Sequence, residues 1–231
     1  LARPEALTSR STPEQMLPGC RSILCVGLPY PPPLPPPAAE PDKVRGRIAA
    51  YATLPDYHNI LASKLEALAA RLPSLTGKNV HWRACVDTAP ILEKDYAFLA
   101  GLGWIGRNSL LLTPKFGSYV FLGELLTDLE MEPDEPLQGD PCAQCYQCVQ
   151  ACPTRALLPE RSVDARRCLS YWTIEHRGPI PEELRPLLGE RIFGCDSCQV
   201  ACPLNTQPSP AAFTYAQDAA IEAYPDLLEA F

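Results

Sequence analysis

No apolar run in this chain reaches the roughly 18 residues that a membrane-spanning helix needs, so no membrane contact is expected. No signal peptide is evident at the start. Positive charge is in deficit: 20 Lys and Arg stand against 27 Asp and Glu, a formal net charge of −7. A negative total argues against broad nonspecific nucleic-acid binding and leaves room for one local basic face. Helix-compatible sequence is missing from residues 29–37, where Pro29-Tyr30-Pro31-Pro32-Pro33-Leu34-Pro35-Pro36-Pro37 is stiff and extended. That stretch reads as a rigid surface connector, with a recognition ligand as the alternative. The chain starts at Leu1 rather than Met and ends in an apolar pattern at Phe231, so a shortened chain is expected.

Cysteine is abundant, with 11 in 231 residues, and eight fall within residues 142–202. They read Cys142-x2-Cys145-x2-Cys148-x3-Cys152-Pro153, then Cys168, then Cys195-x2-Cys198-x3-Cys202-Pro203. The first run has the bacterial ferredoxin spacing for a [4Fe–4S] cluster, in which the last Cys ligates the other cluster of a pair. Three thiolates at that spacing wrap one cubane, and the chain then turns away at the Pro. Cys142, Cys145 and Cys148 would therefore take Cys202 as fourth ligand. Cys195 and Cys198 would share theirs with Cys152 and Cys168. Structural zinc also uses Cys-x2-Cys pairs, but zinc ribbons lack this run. A disulfide framework suits small secreted chains, and the clustering here is too regular for one. Cluster chemistry implies a reducing, cytoplasmic setting. The remaining Cys20, Cys25 and Cys85 behave as small hydrophobes.

Residues 22–28 read as a buried strand and 43–54 as a short helix. Ile60, Leu61, Leu65, Leu68 and Leu72 share one helical face, which Pro73 would end. Val80, Trp82, Ala84 and Val86 alternate with polar residues as a half-buried strand. Asp87 would lie at its carboxyl end, where open α/β sheets place a ligand crevice. A helix is expected over 91–100, a strand over 119–127 and a helix over 163–177. Gly101, Gly103 and Gly106 are spaced like a dinucleotide fingerprint but follow a helix, the wrong order for one. They would instead let the backbone approach a bulky flat ligand. Gly123 is a second candidate for close approach. Arg155, Arg161, Arg166, Arg167, His176, Arg177, Arg185 and Arg191 make the second half locally basic.

Val86-Asp87-Thr88-Ala89-Pro90-Ile91-Leu92-Glu93-Lys94, followed by the segment from Gly101 to Asn108, resembles the epoxyqueuosine reductases. Asp56-Tyr57-His58, Phe116-Gly117-Ser118-Tyr119, Phe121-Leu122-Gly123-Glu124 and the stretches around Cys168 and Cys195 agree with it. The match covers roughly residues 20–205. It departs at Ala50, where the family carries a basic residue, near Leu54, where it has Gly, and at Leu204, where Trp is common. The resemblance implies a mixed α+β or α/β chain. A cobalamin-binding α/β domain, reductive-dehalogenase-like, would occupy residues 1–131. A ferredoxin-like domain with two [4Fe–4S] clusters would follow at 132–208, and a truncated helical region at 209–231.

The implied activity is reduction of epoxyqueuosine to queuosine at the wobble position of tRNA, the last step of queuosine synthesis. The resemblance places the family's proton donor at Asp87. Corrin contacts would come from His58, Asp87, Asn108, Ser109, Leu111, Asp196 and Ser197. The implied partners are the tRNA anticodon stem-loop and a low-potential electron donor, with the protein a monomer. Two other readings compete: a related cobalamin iron–sulfur reductase acting on a small molecule, such as a dehalogenase, and a ferredoxin-type electron carrier.

Overall fold

The computed structural model describes residues 10–38, 40, 42–205 and 222–227. The chain gathers into two compact units, each drawn from three segments. One takes residues 1–28, 56–105 and 120–139; the other takes 29–55, 106–119 and 140–231. The boundary expected at 131 falls inside the 120–139 segment of the first unit. Most of the C-terminal region expected at 209–231 lies outside the described residues.

The first unit is built on a three-stranded sheet with Val120–Thr127 at its centre, flanked by Ser22–Pro29 and Trp82–Cys85. The central strand is buried along most of its length, which explains its nearly unbroken apolar run. Trp82–Cys85 runs antiparallel to it, with Ala84 opposite Leu125 and Cys85 opposite Glu124. At the other flank, Arg21 N–H donates to the Thr127 carbonyl at 2.9 Å, and Tyr30 N–H donates to the Tyr119 carbonyl at 2.9 Å. Those two pairings run in opposite chain directions, so this edge is antiparallel as well. The crevice rule for parallel sheets therefore does not locate Asp87. The strand ends at Cys85, two residues short of it, because Cys85 and Val86 are both buried and break the alternation.

Helix Tyr57–Ala69 packs against the central strand through Leu61 and Leu65. Gly123 permits this approach: a Cβ there would sit 2.9 Å from Leu61 Cδ2. Each buried Leu contributes roughly 1.5–3 kcal/mol. The helix stops at Ala69, and Pro73, expected to end it, instead lies in the first turn of the next helix, Leu72–Thr76. A first-turn amide has no helical partner, so proline costs nothing there. Met16, Cys85, Ile91 and Leu126 close a second part of the core.

In the second unit, the helix expected over 43–54 is replaced by a strand, Arg47–Ile48, and a 3-10 turn, Ala50–Thr53. Arg47–Ile48 pairs in parallel with Arg191–Phe193. The amides that a helix would have used go elsewhere: Arg47 N–H to Glu190 O at 2.6 Å, Ile48 N–H to Ala223 O at 3.0 Å and Ala49 N–H to Phe193 O at 2.8 Å. Long-range pairing outweighs weak local propensity here. The helix expected over 163–177 is trimmed to Leu169–Ile174. Asp164 folds the preceding stretch into a turn, accepting from Arg166 N–H at 3.1 Å, and a side chain that bonds its own backbone competes with helix.

Candidate functional site

In the sheet unit, one cluster of side chains forms around Asp87. Asp56 caps helix Tyr57–Ala69 by accepting from His58 N–H at 2.9 Å. The same carboxylate meets His58 Nδ1 at 2.7 Å. His58 Nε2 then lies 3.3 Å from Asp87 Oδ2. The imidazole stacks on Tyr57, whose ring stacks in turn on Phe121. Both ring nitrogens thus meet carboxylate oxygens, and only the imidazolium can donate from both. Burial lowers the His58 pKa, but the bonds to Asp56 and Asp87 outweigh it, and the net shift is upward.

Asp87 reaches this position through a left-handed turn, with φ of 52°. Thr88 N–H closes the turn on the Val86 carbonyl at 2.6 Å, and Asp87 N–H donates to Glu93 Oε1 at 2.6 Å. The Asp87 carboxyl is exposed, with 58% of the side chain accessible. Glu93 opens helix Glu93–Leu99, where a carboxylate complements the helix dipole. Its pKa is raised, first by burial and then by the Asp87 charge, against the bond from Asp87 N–H.

Sequence reasoning missed Glu93 and Glu124. Glu124 is 0% exposed, and among the described residues neither carboxyl oxygen has a hydrogen-bond partner. Burial, followed by the Glu93 charge, pushes its pKa up to about 8. One signal could have found it: an acid inside Val120-Phe121-Leu122-Gly123-Glu124-Leu125-Leu126, an otherwise apolar strand.

The thiols lie in the other unit. Helix Gln147–Ala151 packs beside helix Ser197–Val200, so the two Cys runs meet through short helices. None of the eleven cysteines is in a disulfide. Cys148 is raised by burial and then by the charges of Cys142, Cys202 and Cys145. Cys202 is raised by burial and by Cys142 and Cys145, against the backbone bonds of Leu204 and Asn205. Cys198 is raised by burial, then by Cys195, Cys168, Cys148 and Cys152. These influences group Cys142, Cys145, Cys148 and Cys202, and separately Cys152, Cys168, Cys195 and Cys198, with Cys148 acting on Cys198 as well. Burial also raises Cys152, but bonds from Ala156 N–H and Thr154 bring it below its ordinary value. Among the described residues, no three His, Cys, Asp or Glu side chains converge on a single-ion site.

Arg107, which the sequence did not single out, gathers the first loop. It donates to the carbonyls of Ala143 at 2.8 Å, Cys142 at 3.4 Å and Pro159 at 3.4 Å, and lies 4.1 Å over the Tyr146 ring. The second Cys run is held by Asn205, which donates to Gln199 O at 2.7 Å and accepts from Ser118 N–H at 2.7 Å. Eight thiols in two sets are a donor set that suits iron–sulfur clusters.

The other corrin candidates also belong to this unit. Asn108 is buried; its Oδ1 accepts from Leu110 N–H at 3.3 Å, and among the described residues Nδ2 has no partner. An orphaned buried donor of this kind fits a bound polar group. Ser109 has φ of 62°, and Leu111 is buried. Asp196 is buried and accepts from Ala50 N–H at 2.9 Å, and Ser197 Oγ accepts from Arg191 Nη2 at 2.8 Å. The glycines of 101–106 approach their own chain: a Cβ on Gly101 would meet Glu135 O at 2.5 Å, and one on Gly106 would meet Asn108 Oδ1 at 2.7 Å. A bulky ligand is not needed to explain them.

A sheet unit bearing a carboxylate–imidazole cluster, together with eight thiols in two sets, defines a two-cluster iron–sulfur protein. Residues 141–205 match the family described as a 4Fe-4S double cluster binding domain, and residues 10–88 match epoxyqueuosine reductase QueG, DUF1730. The chain belongs to the epoxyqueuosine reductase family. It is 43% identical over 206 residues to the epoxyqueuosine reductase of Pseudomonas aeruginosa, covering 88% of this chain and 56% of that one. A Bacillus subtilis epoxyqueuosine reductase structure superposes with a TM-score of 0.86 at 32% identity, over 98% of this chain and 59% of that chain. An epoxyqueuosine reductase bound to an epoxyqueuosine-modified tRNA-Tyr stem-loop gives a TM-score of 0.87 at 35% identity, over 95% and 58%. The chain thus spans little more than half the length of the relatives it matches.

Proposed function

We propose that this chain carries the reductive half of an epoxyqueuosine reductase and converts epoxyqueuosine to queuosine in tRNA. The observation that supports this most is the 43% identity to a curated epoxyqueuosine reductase along 88% of the chain. Cys142, Cys145, Cys148 and Cys202 would hold one [4Fe–4S] cluster, and Cys152, Cys168, Cys195 and Cys198 the other. Cobalamin would be contacted by His58, Asp87, Asn108, Ser109, Leu111, Asp196 and Ser197. When bound, the clusters supply a one-electron path and cobalamin a reducing cobalt centre.

The protein's own part is proton delivery and positioning. Asp87 gives a proton to the departing epoxide oxygen. His58, pinned by Asp56, holds a proton 3.3 Å from Asp87 Oδ2 and fixes that carboxyl's direction. The exposed turn at Asp87 leaves the carboxyl open to a bound nucleoside. The stem-loop partner follows from the relative solved with one. A low-potential donor, a monomeric state and a cytoplasmic setting complete the reading, the last consistent with cluster-type cysteine spacing.

The test is anaerobic reconstitution with iron, sulfide and cobalamin, then reaction with a strong one-electron reductant and an epoxyqueuosine-bearing stem-loop. Nucleoside mass spectrometry should find queuosine, one oxygen lighter. A chain loaded with both cofactors that leaves the epoxide intact would overturn the proposal. Turnover of an organohalide in its place would favour the small-molecule reading.

A further inference from the structure

Asp87 is held in a backbone conformation that chains seldom adopt. Thr88 N–H donates to the Val86 carbonyl at 2.6 Å, a bond that spans only three residues, and Asp87 at its centre has φ of 52°. A three-residue turn with positive φ at its centre is the rare, strained form. Strain of this kind persists only where the surroundings over-determine it.

Three parts of the sheet unit hold it. Downstream, Ile91 is buried with Met16, Cys85 and Leu126, and Ala89 packs on the same cluster, so the far end of the loop is fixed in the core. From helix Tyr57–Ala69, His58 Nε2 meets Asp87 Oδ2 at 3.3 Å. From helix Glu93–Leu99, Glu93 Oε1 accepts from Asp87 N–H at 2.6 Å. The His58 contact acts on the carboxyl and leaves the backbone free to turn. The Glu93 bond acts on the main chain of Asp87 itself. Helix capping does not account for that bond. A capping acid closes on an amide at the end of its own helix, whereas Glu93, the first residue of its helix, reaches six residues back. Leu92, at the N-cap, makes no side-chain cap bond. Glu93 is also half-buried, which shields the bond from competing water.

We propose that Glu93 is a positioning residue of the reductase: its side chain clamps the Asp87 main chain in the strained turn and so aims the acid. The proposal rests on the epoxyqueuosine reductase reading. Glu93 acts only through Asp87. Without the clamp the turn relaxes toward negative φ, and the Asp87 carboxyl leaves its place beside His58. A misplacement of about 1 Å is enough to slow a reaction roughly 10²-fold. The role requires an oxygen acceptor at the end of a side chain of this length; it requires neither a charge nor a proton.

Three variants and two readouts test it. Glu93→Gln keeps the acceptor and loses the charge. Glu93→Leu loses both at similar volume, and Glu93→Ala repeats that loss without bulk. None of the three carries a charge at position 93, so a difference between Gln and the other two reports the hydrogen bond alone. The first readout is the His58 titration, followed by NMR in the reconstituted, oxidised protein without substrate. The upward shift of His58 draws on Asp56 and then on Asp87, so the Leu and Ala variants should titrate below the Gln variant. The second is turnover of the epoxyqueuosine stem-loop. Glu93→Gln should keep most of the wild-type kcat, while Leu and Ala should lower it roughly tenfold to hundredfold with KM and iron content unchanged. A bond that merely stabilises the fold would lower the thermal midpoint of the Leu and Ala variants and leave both readouts as they are in Gln. Leu and Ala variants that match Gln in either readout would overturn the clamp. If fully loaded wild type fails on the stem-loop, the epoxyqueuosine reading has failed and the positioning role falls with it. If wild type turns over while the three variants coincide, the clamp alone has failed.

Discussion

The sheet unit and the thiol-bearing segment are stabilised by different means. The first has two eight-residue strands, a 13-residue helix and side chains such as Leu61, Leu65, Leu125 and Leu126 almost wholly withdrawn from water. The segment from 141 to 205 has helices of four to six residues. It leaves Tyr146, Tyr171, Leu187, Ile192, Phe193 and Val200 exposed. Helices that short are not stable by themselves. Beyond a small core at Ala156, Leu157 and Leu169, their order is expected to come from what the thiols bind, as in other small metal-held domains. The hydrophobic effect carries one region, and ligation is expected to carry most of the other.

The sharpest way to break that comparison is to remove the metal. Stripping iron from the reconstituted protein should abolish amide-exchange protection through 141–205 and leave the Val120–Thr127 strand protected. Equal loss in both regions would mean that the sheet unit also depends on the clusters. Next comes Asp87→Asn, which preserves shape and removes the transferable proton. Turnover should fall by roughly 10²–10⁴-fold, with iron and cobalamin content unchanged; near-normal turnover would remove Asp87 from the chemistry. Leu126→Ala should then cost about 2–5 kcal/mol in the sheet unit, read as a lower thermal midpoint with unaltered iron binding.

An effect of comparable size is expected from pH. The folded-state pKa of Glu124 lies above its ordinary 4.5, at about 8. The folded form therefore binds more protons than the unfolded form between those values, and stability falls as pH rises. Wild type should lose thermal stability from pH 5 to pH 8.5, while Glu124→Leu should show a flatter profile and a higher midpoint. A parallel decline in both would place the titrating group elsewhere.

The contrast also explains what was legible in the sequence. Cluster ligation is written as spacing, because a cubane needs its thiolates at fixed chain intervals, and Cys142, Cys145 and Cys148 state it outright. Helix Tyr57–Ala69 was legible through its periodic buried face, and the two long strands through their short, continuous apolar runs. The carboxylate cluster was legible only through family resemblance. Asp87 is placed by a left-handed turn beyond the strand end, and its partner His58 lies 29 residues away. Periodicity says nothing about either. Arg47–Ile48 and Asp164 were misread because their amides and side chains find partners that local propensity does not describe.

The central claim is that the thiols divide across the two Cys runs, with each cluster borrowing from the other motif. Iron counting with EPR on Cys202→Ser and Cys168→Ser tests it most directly. The account predicts about eight irons in wild type, with each variant losing one cluster: Cys202→Ser the one held by Cys142, Cys145 and Cys148, and Cys168→Ser the one held by Cys152, Cys195 and Cys198. A Cys168→Ser protein with full iron content and both signals unchanged would contradict it.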